Sequence, residues 1–151
     1  MASAPSKSAH AQRRRTPCVG ICSTTYGDLV CRGCKRFAHE ITGWNGYSDG
    51  QRSDVETRLQ TLRAGAIDRF LQVDDSTDSV ASLHRVQALI DACKQRQSDR
   101  LDDELRSAWA GRGVRIAAGF DTLEGLLRAI DDEWFSRSRG VYERSFRVSA
   151  E

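Results

Sequence analysis

Apolar residues recur at helical spacing through most of the chain after residue 35. Phe37, Ile41 and Trp44 stand at i, i+4 and i+7, which predicts a short helix over about 35–45, ended by Gly43, Asn45 and Gly46. Ser48-Asp49-Gly50-Gln51 has the capping-box form and opens a longer helix, about 50–72. Its stripe is Val55, Leu59, Leu62, Ala66 and Phe70, with Asp54 and Arg58 spaced to pair on the wet side. Val73 to Ser76 breaks the pattern. A third helix, about 78–97, places Leu83, Val86, Leu89, Ile90 and Cys93 on one face. Ser98-Asp99 is the expected cap of a fourth, reaching about residue 110, with Leu101, Leu105 and Trp109 facing inward.

Gly111 and Gly113 stop that helix, and Val114 to Phe120 is compatible with either strand or loop. Asp121-Thr122-Leu123-Glu124 is another capping pattern. The helix it starts uses Leu123, Leu126, Leu127, Ile130 and Trp134 (or Phe135). From Gly140 the sequence VYERSFRV alternates weakly, as a strand or a frayed end does. These periods predict a mainly α fold, in which a small knuckle containing four cysteines, outside the helical pattern, is followed by an α-helical C-terminal region. The division expected is a disordered basic tail over 1–15, a cysteine module with its supporting helix over 16–72, and a helical region over 73–151.

Helical periodicity is missing before residue 35, and composition takes over as the informative signal. The chain has 151 residues, 39% hydrophobic and 29% charged, so a modest core is expected. No apolar run reaches the length that spans a bilayer. Residues 1–15 contain no apolar segment of the secretory kind; they are Ser-, Ala- and Arg-rich, as an organellar leader also is, but a solvated basic tail is the simpler reading. The expected location is the cytoplasm, where clustered thiols bind metal or do redox chemistry more often than they form structural disulfides. Net charge is +2, yet residues 1–36 carry seven Lys/Arg against Asp28 alone, leaving 16 basic and 20 acidic residues elsewhere. That basic end is a candidate for weak nucleic-acid contact.

Four of the five cysteines lie between Cys18 and Cys34, spaced Cys18-x3-Cys22-x8-Cys31-x2-Cys34. Four thiolates suit one tetrahedral zinc ion or one iron–sulfur cluster. The x8 linker is shorter than that of paired zinc sites, and the spacing also misses the ferredoxin patterns. Tyr26-Gly27-Asp28 is a turn signal, consistent with a small hairpin between the two pairs. Gly33 eases crowding inside Cys-Arg-Gly-Cys, and Arg32, Lys35 and Arg36 place positive charge beside the thiols. Two disulfides, or uncoordinated thiols, are the alternative.

The remaining candidates have simpler explanations. Cys93 and His84 lie on a helix and His10 in the tail; His39 falls off the Phe37–Trp44 face. Glu40 is spaced to pair with Arg36, and Trp44 to close a small core over the cysteine loop. Nucleotide-loop, serine-elbow and zinc-protease motifs are all missing.

The run Pro17-Cys18-x3-Cys22-x8-Cys31-x-Gly33-Cys34-x-Arg36-x3-Glu40-Ile41-x2-Trp44 resembles the domain-of-unknown-function 1289 family, small bacterial proteins often labelled predicted iron–sulfur proteins. The resemblance covers about residues 16–62. It implies that Cys18, Cys22, Cys31 and Cys34 are metal ligands and that Arg36, Glu40 and Trp44 belong to the same module. The functional expectation is a non-catalytic metal-binding module that meets an unidentified protein partner. An iron–sulfur electron-transfer protein and a nucleic-acid-associated zinc module are the alternatives.

Overall fold

Val30 and Phe37 form an antiparallel bridge, and the chain between them folds into a tight loop closed by Cys31 N–H to Arg36 O at 2.9 Å and Lys35 N–H to Cys31 O at 2.8 Å. The hairpin expected between the cysteine pairs therefore lies across the second pair. Between the pairs stands a 3₁₀ turn, Ser23–Tyr26, ended by Gly27. The computed structural model describes residues 17–20, 22–74 and 79–146, with the side chains of 79 and 80 outside the description.

Helix α1, Ala38–Gly43, follows the loop at once and tightens into a 3₁₀ turn at Trp44–Gly46. The Ser48 capping box forms as the sequence specifies: Ser48 Oγ accepts from Gln51 N at 3.1 Å, and Gln51 Oε1 accepts from Ser48 N at 2.9 Å. Helix α2 runs Asp49–Phe70, and strand β1, Leu71–Val73, continues from it without a loop. Helix α3, Ser79–Lys94, buries all five residues of its expected stripe.

Helix α4 spans Asp103–Ala110 and is capped by Asp102, whose carboxylate accepts from Leu105 N. Ser98 and Asp99 do not cap it. Asp99 instead reaches the start of helix α5, Leu123–Phe146, with its carbonyl on Leu123 N–H at 2.8 Å. Thr122 Oγ1 accepts from Gly125 N, so the Asp121–Glu124 signal does open α5. The helix passes through Gly140 to Phe146, and the strand-like alternation after Gly140 is not used.

The ambiguous segment resolves into strand β2, Val114–Ile116, paired antiparallel with β1 (Leu71 to Ile116, Val73 to Val114). Gly113 enters it with φ +80, and a Cβ there would meet Arg85 Nη1 at 3.3 Å and Asp74 Cβ at 3.6 Å. Only glycine takes that geometry without strain.

The molecule is mainly α. Its larger core joins Ala64, Ala66 and Ile67 of α2 to α3, α4, the sheet and α5, around Trp109, Leu126, Val86 and Val114. A smaller cluster holds Trp44, Val55 and Leu59. Leu62 and Phe70, expected on the stripe of α2, are only half-buried, and Ala64 and Ile67 take the buried face instead. No helix among the described residues is long and apolar enough to cross a membrane.

Candidate metal centre

Cys31 and Cys34, with two residues between them, stand in a turn whose left-handed position falls on Lys35, φ +65, rather than on Gly33. Gly33 contributes its backbone: its N–H faces the Cys31 sulfur, and its carbonyl accepts from Lys35 Nζ at 3.1 Å. Both sulfurs are buried. Burial alone raises the Cys31 thiol, but the backbone N–H groups of Cys34, Ser23 and Gly33, and the Cys34 thiol, bond its sulfur and bring it down to about 7. Hydrogen bonds to the charged form favour thiolate over thiol. Burial pushes the Cys34 thiol up, and the Arg36 guanidinium, with Nε 3.3 Å from its sulfur, only partly offsets this.

The segments around the first cysteine pair reach the same loop. Ser23, next to Cys22, takes Arg32 N–H on its hydroxyl at 2.8 Å. Pro17 and Val19, flanking Cys18, line a cleft with Gly33, Cys34 and Trp134. Cys18 Sγ accepts from Gly20 N–H at 3.4 Å, and Cys22 Sγ lies 2.7 Å from Thr24 Oγ1. No disulfide joins any of the five cysteines. Among the described residues, no three His, Cys, Asp or Glu side chains stand close enough to hold one ion. The donor chemistry nevertheless fits a thiophilic metal at Cys31 and Cys34, where oriented N–H groups face the buried Cys31 sulfur, and the chain brings both segments around Cys18 and Cys22 to that pair.

The supporting residues take partners that helical spacing does not give. Glu40 is buried and does not pair with Arg36. Its carboxylate accepts from Phe37 N–H at 2.8 Å and takes a bidentate pair from Arg58 at 2.6 and 2.7 Å. Arg58 therefore serves Glu40 rather than Asp54, with its guanidinium 4.0 Å from the Phe37 ring centroid. Arg36 lies between Cys34 and the Trp44 ring, 4.8 Å from its centroid. Trp44 is buried in a small core against Val55 and Leu59 of α2 rather than with Phe37 and Ile41 over the cysteine loop, and it meets the loop through Arg36.

His39 is exposed and packs its ring on Phe37 and Phe146; Cys93 is buried in the larger core. Of the cations near the thiols, Lys35 and Arg36 are buried and Arg32 is exposed. The basic tail lies outside the described residues.

Two residues of the site carry no sequence signal. Asp131 and Trp134 belong to the last helix, yet Asp131 pairs with Lys35 and the Trp134 ring lies 4.7 Å from the Lys35 ammonium.

Residues 16–63 match the family model described as a protein of unknown function (DUF1289). The match covers the cysteine loop, α1 and the first part of α2. No curated protein and no solved structure matches the chain.

Proposed function

We propose that Cys18, Cys22, Cys31 and Cys34 hold one metal centre, a zinc ion or an iron–sulfur cluster, and that the centre organises a non-catalytic interaction module. The observation that carries this is the environment of Cys31: a buried sulfur on which three backbone N–H groups converge. A buried thiolate is costly unless paired, and a metal ion is the partner four thiolates suit best. The segment before α1 has few apolar residues of its own, and a bound metal would supply folding energy there. Arg36 and Lys35 offset the negative charge of the thiolates, and the N–H groups orient the Cys31 sulfur.

The test is elemental analysis and visible absorbance of protein purified without oxygen. One metal centre per chain is expected, lost in Cys31→Ser. Protein that holds no metal, or a Cys31→Ser variant that keeps its full complement, overturns the reading. Absorbance in the visible range with iron and sulfide present assigns an iron–sulfur cluster; colourless protein with one zinc assigns a zinc site and removes the electron-transfer reading.

A further inference from the structure

Lys35 is 1% exposed, and its ammonium has three acceptors for its three donors. Two are carbonyls inside the cysteine loop, Arg32 O at 2.6 Å and Gly33 O at 3.1 Å. The third is the Asp131 carboxylate, 96 residues away on α5. The same helix face supplies two more contacts. Trp134 lies beneath the ammonium, and Phe135 lies 4.3 Å from the Arg32 guanidinium. Asp131, Trp134 and Phe135 stand at i, i+3 and i+4, one surface of α5 laid on the loop. A non-glycine residue keeps a left-handed backbone only when its surroundings hold it, and here the holding partner is remote in sequence.

We infer that α5 is part of the cysteine site. Asp131 and Trp134 are positioning residues that fix the Cys31–Cys34 loop through Lys35, so the state of the loop and the docking of α5 are coupled. The matched family segment ends at residue 63, so this chain supplies that cover from outside it. The physical requirement is the buried ammonium. Its counter-ion is Asp131, and an uncompensated buried charge destabilises the element that carries it. Coupling is reciprocal: whatever orders the loop also holds α5 against the body, and loosening α5 loosens the loop. The part of this inference that concerns metal retention rests on the reading of the cysteines as ligands; the contact itself does not.

The test uses the full chain, with hydrogen exchange read by mass spectrometry over residues 31–38. Asp131→Asn keeps the shape and removes the charge. It is expected to speed exchange in that loop by about tenfold while far-UV circular dichroism stays unchanged. Glu124→Gln, on the same helix but paired with exposed Arg128, is the control and leaves the loop unchanged. Lys35→Met also removes the two loop-carbonyl bonds, so it is expected to speed exchange at least as much as Asp131→Asn, and the double variant no more than Lys35→Met alone, because the Lys35–Asp131 contact is absent in each. In wild-type protein that carries metal, Asp131→Asn is expected to release it to a chelator about tenfold faster. Unaltered loop exchange in Asp131→Asn, or fully additive losses in the double variant, overturns the coupling. Wild-type protein without metal overturns only the ligand assignment, and the exchange result then stands by itself.

Discussion

Glu40 joins two helices and the cysteine loop through one carboxylate. It closes the first turn of α1 by accepting from Phe37 N–H, and it binds Arg58 of α2 through both oxygens. Bidentate charge-assisted bonds at a buried position are the strong kind, and removing one partner leaves the other charge uncompensated. Glu40→Gln is expected to lower stability by about 3 kcal/mol in urea unfolding, more than an exposed helix pair contributes. A loss below about 1 kcal/mol would show that Arg58 finds water instead. The cysteine spacing was legible in the sequence because four residues within seventeen positions need no tertiary knowledge. The Glu40–Arg58 pair was not. Arg36 and Asp54 stand at the right helical spacing to compete for these partners. Arg36 lies just before α1, where its side chain turns to Cys34 and Trp44, and Asp54 is exposed.

At the scale of elements, the helices were legible wherever apolar spacing and a capping signal coincided. Ser48 with Gln51 and Thr122 with Gly125 mark true starts, and side-chain caps of this kind contribute about 1 kcal/mol each. The misassignments are at sites where a local signal is outcompeted. Asp99 had the form of a cap for α4, but its carbonyl meets Leu123 N–H, because residues 100 and 122 bridge in space. Strand β2 was ambiguous because three residues carry too little periodicity, and only pairing with β1 defines it.

Glu133 links α5 to α2 by accepting from Arg137 and Arg69. Burial raises its carboxyl, but these two guanidinium bonds outweigh that and hold it below its ordinary value. A depressed carboxylate contributes stability that is present above its unfolded-state pKa and is lost as pH falls through the folded one. Wild type is therefore expected to exceed Glu133→Gln in stability at neutral pH, with the gap closing below the ordinary carboxylate range. A gap independent of pH would remove the ion pair as its cause. Arg69 and Arg137 are 59% and 42% exposed, so solvent screens both pairs and the effect is small.

Over the whole molecule, α2 and Trp134 connect the two cores. Val55 and Leu59 serve the smaller cluster, Ala64, Ala66 and Ile67 the larger one, and Trp134 packs against both. Trp109, 2% exposed, sits in the larger core, far along the chain from the cysteines. Trp109→Ala is expected to cost about 4 kcal/mol through lost burial and the cavity left behind. Because the cores share α2, unfolding followed by circular dichroism and by tryptophan fluorescence is expected to give one midpoint in wild type. Separate midpoints would show that the cysteine loop and its helices unfold independently of the rest.

The sequence by itself determined the helical class, the apolar faces of α3 and α4, and the identity and spacing of the four cysteines. Each of these is a local property, written within one turn or one loop. The tertiary structure alone decided the pairing of β1 with β2, the choice of Arg58 for Glu40, and the seating of Asp131 and Trp134 on the loop through Lys35. By sequence, Lys35 is a positive charge placed beside the thiols; its partner is a carboxylate 96 residues away, and no local pattern encodes that distance. Burial converts such a charge from a surface feature into a constraint, because an ammonium removed from water must find its partners within the fold.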